Sequence, residues 1–546
     1  MSVVEINKEC SDEDLSIDYI EKLKNYSSPD DHDKLMELIN DSKFVNFFQN
    51  KQTNITIDPL ELHKKINADD YKNLFNDTKE HAQIFVENKQ DVIKLINKNT
   101  GFLFNPATLL WEEKDGCHVV IMIQRFLCHY VTCKIDDISK SQGNHNDKSN
   151  EIKKLCTLLN RFNKFDYCEK VFKNVRPELI DTNFEGKLNT SSHELPINKG
   201  RIIDLRTKKI RLRNRNDLFT FEIECDYLEN NTLEHAKKFF NDIMLNNQEN
   251  INYLQYILGY SLTGEVNLRS LIILYGQGSN GKSVLLEMIQ KIMGKKFCKT
   301  IDKKVFVKIE CSSSHSDHLA QIHGTRIALF SESEENDRLN EGQIKALTGS
   351  DEISTRRIYG STFTFKAVAK YFIITNHKPI FNLSQAMIDR VKYIPFNARF
   401  INNPTKNNEF KKDDTFIDKL KSIYLSEIFT FLVDGAFEYY KNPVITVPKN
   451  IQKVTDENLN ELDTVADFIK NNIETKEGSN IKKSELYEYY ELYCKSEGTK
   501  SLTLTKKLFQ LNLEQKGYII GPIGGYDHVK HISIIKHNLD NKNTLL

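Results

Sequence analysis

The sequence lacks several features that would assign its class at once. It has no excess of one charge, because 76 lysines and arginines balance 76 aspartates and glutamates over 546 residues. Proteins that bind nucleic acid over a broad surface are usually basic, so such a partner would need a local basic patch here. No run reaches the roughly 18 apolar residues of a membrane-spanning helix. The acidic N-terminus also lacks the apolar segment of a signal peptide.

Regular cysteine spacing is missing as well. Ten cysteines are scattered along the chain, which favours a reducing compartment over a disulfide framework. One group has the residue types of zinc ligands, but its spacing fits no standard zinc site, and a core element is the alternative interpretation: Cys117, His118, Cys128, His129 and Cys133. The length predicts about three or four domains at roughly 150 residues each.

Apolar runs in the middle of the chain indicate the fold class. Polar segments at 134–154, 402–414 and 441–463 are predicted to be exposed connections. Apolar residues at helical spacing between 232 and 263 predict paired helices. Short runs that follow have the branched, apolar content of buried parallel strands: Leu271–Tyr275, Arg326–Phe330, Tyr371–Thr375 and Val391–Phe396. Because helices alternate with these runs, the sequence predicts an α/β fold with a parallel sheet.

A phosphate-binding motif follows the first of these strands. It fits G-x-x-x-x-G-K-[ST] at every position: Gly276, Gln277, Gly278, Ser279, Asn280, Gly281, Lys282 and Ser283. Such a loop turns backbone N–H groups and a helix N-terminus toward phosphate oxygens. Lys282 would reach the β- and γ-phosphates of a nucleoside triphosphate, and Ser283 would bind Mg²⁺. The glycines also satisfy the dinucleotide motif G-x-G-x-x-G, with Asp302 near the acidic position, so that alternative stays open.

Polar residues next to the later strands suit phosphoryl chemistry. The run Ser331-Glu332-Ser333-Glu334-Glu335 follows one strand, where an acid can hold Mg²⁺ or orient the attacking water. Asn376 follows the next strand and would contact the γ-phosphate or that water. Arg390 precedes the last strand and would act as an arginine finger supplied by a neighbouring subunit. The simpler alternatives are a solvated acidic loop, a turn residue and an ion pair with Asp389.

With these motifs in this order, residues 271–396 resemble the motor of superfamily III helicases, the AAA+-type helicases of viruses, phages and plasmids. The nearest branch is that of the poxvirus-like and other primase–helicases of large DNA viruses and of the phage and plasmid primases. The strings that carry the resemblance are GQGSNGKS, HGTRIALFSESEE, KALTGSDEISTRRIYGSTFTFK, YFIITNHKPI and DRVKYIPF.

The resemblance implies a homo-hexameric ring that uses ATP and Mg²⁺ to move 3′→5′ on single-stranded DNA and to unwind forked DNA. Glu332 is then the essential acid. Many relatives carry two adjacent acids where this chain has Ser331-Glu332, so the division of roles among Glu332, Glu334 and Glu335 stays open.

DNA contacts are predicted at a β-hairpin around Arg357–Gly360. In the resembled family such a hairpin carries basic residues onto the DNA backbone, and the matching positions are Lys345, Arg356 and Arg357. The alternative is an exposed hairpin with solubilising charges. A second basic cluster would line a DNA path or form the solvated face of an edge strand: Arg206, Lys208, Lys209, Arg211, Arg213 and Arg215.

The resemblance also divides the chain. It implies a mostly helical N-terminal extension (1–94), an α+β pre-helicase module (95–231), the P-loop ATPase (232–401, with a helical extension to 440) and a winged-helix-like domain (460–535). No acidic triad suited to a two-metal primase site is found in residues 1–94. A separate primase and a polymerase are therefore expected partners.

We expect an intracellular, soluble protein of a viral replication compartment, with no membrane partner. Two alternatives of other classes remain. One is a ring ATPase for DNA packaging or remodelling, and the other is a scaffold that uses ATP only to assemble at an origin.

Overall fold

The computed structural model describes residues 77–140, 145–302, 305–307, 319–331, 338–349, 351–356 and 362–535. The chain divides into two compact units, Met1–Cys225 and Asp226–Leu546. Within the described ranges, no helix is long and apolar enough to cross a bilayer.

Helices build most of the core of the first unit. They are α1 (Thr78–Lys89), α2 (Gly116–Lys140), α3 (His145–Phe162), α4 (Phe165–Leu179) and the short α5 (Phe184–Lys187). Asp77 begins α1 as a capping box, in which its carboxylate accepts from the Lys79 N–H and Glu80 accepts from the Asp77 N–H. Apolar side chains from α1 to α4 and from the first strand share one buried cluster, so residues on both sides of position 95 belong to the same core.

Two antiparallel sheets complete this unit. The first contains β1 (Ile93–Leu95), β2 (Thr100–Asn105) and β3 (Leu110–Asp115), and the second contains β4 (Glu194–Ile197), β5 (Arg201–Asp204) and β6 (Ile210–Leu212). Trp111 is buried in a small aromatic cluster with Phe102 and Phe184. Its indole N–H donates to the Arg215 carbonyl at 2.8 Å, which gives this buried donor a partner.

The described residues of 134–154 are exposed or partly exposed, as predicted, but most of the segment is helix rather than a connection. Helix α2 continues to Lys140 and α3 begins at His145. Leu155, Leu158 and Phe162 lie one and two turns apart on α3, and all three are buried. Polar residues predominate in 134–154 itself, so the average composition of this segment does not reveal that it belongs to two helices.

A five-stranded parallel sheet forms the centre of the second unit. Its strands are β7 (Leu271–Tyr275), β8 (Cys298–Thr300), β9 (Ile327–Ser331), β12 (Lys370–Thr375) and β13 (Val391–Pro395), in the spatial order β13-β7-β12-β9-β8. All four pairings are parallel. The apolar side chains of β7 are buried, as expected of a strand covered on both faces. The predicted α/β fold with a parallel sheet is thereby confirmed.

Helices and two small sheets surround this sheet. The helices are α6 (Glu234–Ile243), α7 (Gln248–Leu262), α8 (Lys282–Phe297), α9 (Glu341–Thr348), α10 (Gln385–Arg390), α11 (Asp414–Leu420) and α12 (Leu425–Lys441). One small sheet is the hairpin β10 (Glu352–Arg356) and β11 (Thr362–Lys366), and the other pairs β14 (Arg399–Ile401) with β15 (Glu409–Lys411). Both helices predicted between 232 and 263 are present.

Two buried cations join α7 to the amino ends of neighbouring strands. The Arg326 guanidinium donates to the Leu262 carbonyl, and the Lys370 ammonium donates to the Thr263 carbonyl, where α7 ends. A helix C-terminus carries partial negative charge, so it stabilises both cations. Burial lowers the pKa of Lys370. Because these residues immediately precede β9 and open β12, the contacts fix both strands against α7.

The segment 441–463 also differs from its prediction, because it contains helix α13 (Lys449–Asn460). Thr455 on this helix accepts a hydrogen bond from the Tyr393 N–H on edge strand β13 at 3.0 Å. The polar segment 402–414 contains strand β15. Beyond α13 come α14 (Thr464–Asn472), β16 (Ile473–Lys482), α15 (Lys483–Ser496), α16 (Lys506–Gln515), β17 (Ile520–Ile523) and β18 (Tyr526–Ile534). The three strands form an antiparallel sheet in the order β16-β18-β17.

Helices α7 and α12 approach so closely that only glycine fits at their crossing. A Cβ on Gly435 would lie 2.1 Å from the Gln255 carbonyl oxygen, and one on Gly259 would lie 2.1 Å from the Ala436 nitrogen. We expect Gly435→Ala to lower the stability of the second unit by about 1–3 kcal/mol, because the helices must separate. Thermal unfolding followed by circular dichroism would measure this. Gly342→Ala on α9 is the control, since its Cβ would meet nothing closer than 3.6 Å. Equal melting temperatures for Gly435→Ala and the wild type would contradict the close crossing.

Candidate functional site

The phosphate-loop motif lies at the carboxyl edge of the parallel sheet. It leaves β7 at Tyr275 and enters α8 at Lys282, so strand, loop and helix occur in the predicted order. Gly281 caps the helix with φ of 88°, a backbone conformation that favours glycine. A Cβ there would lie 2.6 Å from the Ile243 side chain. The second conserved position of the motif therefore requires glycine for both conformation and space.

The chain that leaves β13 holds the loop from the side. The buried Asn280 side chain donates from Nδ2 to the Phe396 carbonyl at 3.1 Å. A Cβ on Gly276 would lie 2.4 Å from the same carbonyl oxygen. Further along, the Phe400 N–H donates to the Ser279 carbonyl at 2.7 Å. These contacts order the loop from within the protein. No motif in the sequence marks Phe396 or Phe400, because their role depends on where β13 lies in the sheet.

Lys282 is buried at the start of α8. It is only 4% exposed, and its ammonium donates to the Gly276 carbonyl and to Asn376 Oδ1, the latter at 3.2 Å. Burial lowers its pKa to about 8, because the charged amine is removed from water. An anionic phosphate would restore the favourable environment of the charged form. The loop residues Gln277, Gly278, Ser279 and Ser283 are exposed. Ser283 lies in the first turn of α8.

The sheet brings Asn376 to the loop. Strand β12 pairs with β7 so that Thr375 is opposite Tyr275, and the next residue on each strand is Asn376 or Gly276. Adjacent parallel strands end at the same edge, which explains the contact between residues 94 positions apart. Strand β9 pairs with β12 on the other side, with Ser331 opposite Ile374. Glu332, Glu334 and Glu335, which follow β9, lie outside the described residues.

Arg390 lies at the amino ends of the strands, on the opposite side of the sheet from the phosphate loop. It ends α10 immediately before Val391, and Val391 is paired with Leu271 at the start of β7. Five strand residues at roughly 3.3 Å each separate it from the loop of its own chain by about 16 Å. Its guanidinium donates to Thr348 Oγ1 at 2.9 Å and to the Ala386 carbonyl at 2.8 Å. The structure therefore does not bring Arg390 to the loop of the same subunit.

The predicted hairpin is present, with Arg356 of β10 opposite Thr362 of β11. The Arg356 side chain and the whole of Arg357 lie outside the described residues. Lys345 is on α9 rather than on the hairpin, and it forms an ion pair with Glu341 one turn earlier. The proposed DNA contacts of these three residues stay predictions.

The basic cluster before the motor proves to be largely paired with acids. Arg213 is fully buried and bonds Glu222 at 2.8 Å. Arg211 bonds both Glu194 and Asp217. Arg206 also pairs with Asp204, and Arg215 pairs with Asp91. Strand β6 is an edge strand. The even alternation in the sequence therefore does not produce one free cationic face, because Arg213 points inward.

The sheet order decides between the two nucleotide motifs. In a dinucleotide-binding fold, the strand after the glycine-rich loop and its helix lies beside the loop strand. Here that strand is β8, and β12 and β9 separate it from β7. The dinucleotide alternative is therefore excluded for this loop. Among the described residues, no group of three His, Cys, Asp or Glu side chains is arranged to hold a metal ion, and this includes the Cys and His residues of α2.

Loop, strand and sheet together define a P-loop-like α/β protein.

Parts of the chain match two known protein families. Residues 274–390 match a family model described as a family of unknown function (DUF5906), and residues 460–520 match one described as poxvirus D5 protein-like. The chain is 24% identical over 443 residues to a protein of Acanthamoeba polyphaga mimivirus named as a candidate helicase. That match covers 77% of this chain and 46% of the relative.

Two further relatives are named as candidate helicases. The one from Frog virus 3 (isolate Goorha) is 29% identical over 131 residues, and the one from Invertebrate iridescent virus 3 is 26% identical over the same length. Each match covers 23% of this chain and 14% of the relative. The chain thus spans less than half the length of these curated relatives. The sequence matches confirm that it resembles the primase–helicase family of large DNA viruses.

Among solved structures, the chain is similar to the apo C-terminal region of NrS-1. That likeness has a TM-score of 0.34 and 10% sequence identity, and it covers 62% of this chain and 95% of the other.

The buried amine of Lys282 predicts a specific pH dependence of stability. Its pKa of about 8 in the folded protein lies below the ordinary lysine value of 10.5, so the folded state releases the proton first. The wild type should therefore gain stability as pH rises from about 8 to 10.5. We expect the melting temperature of Lys282→Met, relative to the wild type, to fall over that window. Lys295→Met, at an exposed position near the end of the same helix, is the control. If the difference in melting temperature between Lys282→Met and the wild type stayed the same between pH 7 and 10, this would contradict the lowered pKa.

Proposed function

We propose that this chain is an ATP-dependent DNA helicase of superfamily III that acts in the replication of a large DNA virus or a related element. The observation that carries the proposal is the contact between Lys282 and Asn376. It joins the lysine of a phosphate loop to a neutral amide at the end of the adjacent strand. A γ-phosphate held by the lysine would lie beside that amide, as a site that responds to the triphosphate requires.

The sheet supports an AAA+-type motor. Two strands separate β7 from β8, and β12 lies directly beside β7. This arrangement leaves the ends of β9 and β12 next to the loop for an acid and an amide. Glu332 follows β9 in the sequence and is the proposed essential acid. The poxvirus D5-like segment and the names of the relatives support a replication helicase over other ATPases.

The proposed cofactors are ATP and Mg²⁺. Residues 276–283 would hold the phosphates, with Lys282 on the β- and γ-phosphates, and Ser283 and Glu332 would hold the metal ion. The residues present fit ATP with Mg²⁺, because Ser283 is exposed at the start of the helix and Gly276 and Gly281 shape the loop. Mg²⁺ would neutralise phosphate charge there. Lys282 and Asn376 orient the terminal phosphate from one side of the loop.

A ring of subunits completes the proposed site. Arg390 lies at the edge of the sheet away from its own loop, which supports the proposal that it serves the loop of another subunit. A homo-hexamer is the assembly that the resemblance implies. The hairpin would carry Arg356 and Arg357 onto single-stranded DNA, with Lys345 behind it, and translocation would run 3′→5′. Backbone contacts by arginine and lysine give binding without sequence readout, as a motor needs.

The flanking segments have proposed roles as well. The order helix, strand, helix, helix, strand, strand from α14 to β18 is that expected of a winged helix over residues 460–535. The proposed motor at 232–401 belongs to the second unit, whereas the proposed extension (1–94) and pre-helicase module (95–231) share one buried core across position 95. A separate primase and a polymerase are the proposed partners in a viral replication compartment.

Steady-state ATP turnover tests the catalytic part of the proposal. We expect turnover stimulated by single-stranded DNA, and a decrease of about a hundredfold or more in Lys282→Ala and Glu332→Gln, because each removes a group that stabilises the reacting phosphate. Lys295→Ala at the exposed end of α8 is the matched control and should keep full activity. Wild-type turnover that persists in Lys282→Ala would refute the assignment of the site.

Strand displacement on forked DNA separates a helicase from its rivals. ATP-dependent displacement supports the helicase. DNA-stimulated turnover without displacement would indicate a packaging or remodelling motor, and ATP binding without turnover would indicate an assembly scaffold.

Mixing variants tests the role of Arg390 between subunits. Arg390→Ala and Lys282→Ala should each be inactive alone, with a loss of about 10³-fold or more for the arginine. Mixed rings would contain some interfaces with both an intact loop and an intact arginine, so part of the turnover should return. A chain with both substitutions should restore nothing when it is mixed with Arg390→Ala, because no such interface can form. Failure of the first mixture in rings of normal size would exclude the shared site.

A further inference from the structure

Two aromatic side chains beside the phosphate loop have no role in the motifs described above. Phe400 on β14 and Phe410 on β15 are directly paired across these parallel strands. Their ring centroids are 5.6 Å apart, and the ring planes differ by 28°. Both side chains are partly exposed. The two rings therefore stack on each other, and neither residue is fully removed from solvent.

The first of these rings is fixed directly on the loop. The Phe400 N–H donates to the Ser279 carbonyl at 2.7 Å. Its ring edge lies 3.6 Å from the position of a Cβ on Gly281, next to the end of α6 at Ile243. The Glu409 carboxylate accepts from the Thr405 N–H at 2.8 Å and so closes the connection between β14 and β15. The ring has a defined place beside the loop, because backbone contacts hold its strand at both ends.

The sheet order determines which end of a bound nucleotide would meet this ring. Strand β12, whose end carries Asn376, lies on one side of β7, and β13 lies on the other. Asn376 contacts Lys282 and so marks the γ-phosphate side. Phe400 follows β13 and lies on the opposite side. A nucleotide with its terminal phosphate at Lys282 and its nucleoside away from Asn376 would bring its base toward Phe400.

We propose that Phe400 is the stacking platform for the base of the bound nucleoside triphosphate, and that Phe410 positions this ring from behind. The inference rests on the proposed function, because it needs the loop to hold a triphosphate. A base presents a flat π-face, and stacking on an aromatic side chain needs no hydrogen bond. The platform acts on the base alone, whereas the loop acts on the phosphates alone.

Calorimetric titration of the full chain with two ligands tests this division. One ligand is Mg·ATP, and the other is Mg·tripolyphosphate, which has the phosphates without a base. In Phe400→Leu we expect the ATP affinity to fall at least about fivefold, because the stacking face is lost. The tripolyphosphate affinity should stay unchanged. Phe400→Trp should keep the ATP affinity, since it restores an aromatic face.

Leucine keeps apolar volume against Gly281, so this variant separates stacking from packing. Phe165→Leu, at a 44% exposed phenylalanine in the first unit, is the control and should change neither affinity. Equal losses for both ligands in Phe400→Leu would show that the ring only supports the loop, and this would overturn the proposal. Unchanged ATP affinity would overturn it as well. A wild-type chain that binds neither ligand would refute the phosphate loop itself, which is a different failure from either of these.

Discussion

The arrangement of the site depends on one constraint: the phosphate loop must fit between β7 and the chain that leaves β13. The Phe396 carbonyl occupies the space where a Cβ of Gly276 would be, and it accepts a hydrogen bond from Asn280. Because this oxygen is buried and needs a donor, the Asn280 amide satisfies it and holds the loop at the same time. The loop is thus ordered before any phosphate is bound. That order reduces the entropic cost of binding a flexible polyphosphate.

The same arrangement determines the electrostatic environment of Lys282. Lys282 is buried where the loop turns into α8, and within the described part of the chain its ammonium donates to the Gly276 carbonyl and the Asn376 amide oxygen. Neither acceptor carries a full charge, so burial keeps the pKa of the amine low. An incoming phosphate would supply the missing negative charge. The low pKa of the amine and its expected affinity for an anion therefore have one physical origin.

Some structural features could not be read from local sequence patterns. The segment 134–154 is polar on average, yet helix α2 continues into it as far as Lys140 and helix α3 begins within it at His145. Composition averages over all helix faces, whereas packing depends on one of them. For the basic cluster at 206–215, the spacing in the sequence predicted one cationic face that the structure does not have. Arg211 and Arg213 are two residues apart, a spacing that predicts one shared face in a strand. Strand β6 ends at Leu212, however, and Arg213 beyond it is buried against Glu222.

The sequence by itself determined the strands Leu271–Tyr275 and Tyr371–Thr375, the loop between Gly276 and Ser283, the hairpin and the order of the motifs. Each of these depends on neighbours within a few residues, so local spacing is enough to specify it. Only the tertiary structure decided the rest. It excluded the dinucleotide fold through the strand order, and it joined Lys282 to Asn376. It also placed Arg390 away from its own loop and brought Phe396 and Phe400 against that loop. These relations join residues far apart in the chain. The order of strands in a sheet sets them, and no local pattern encodes that order.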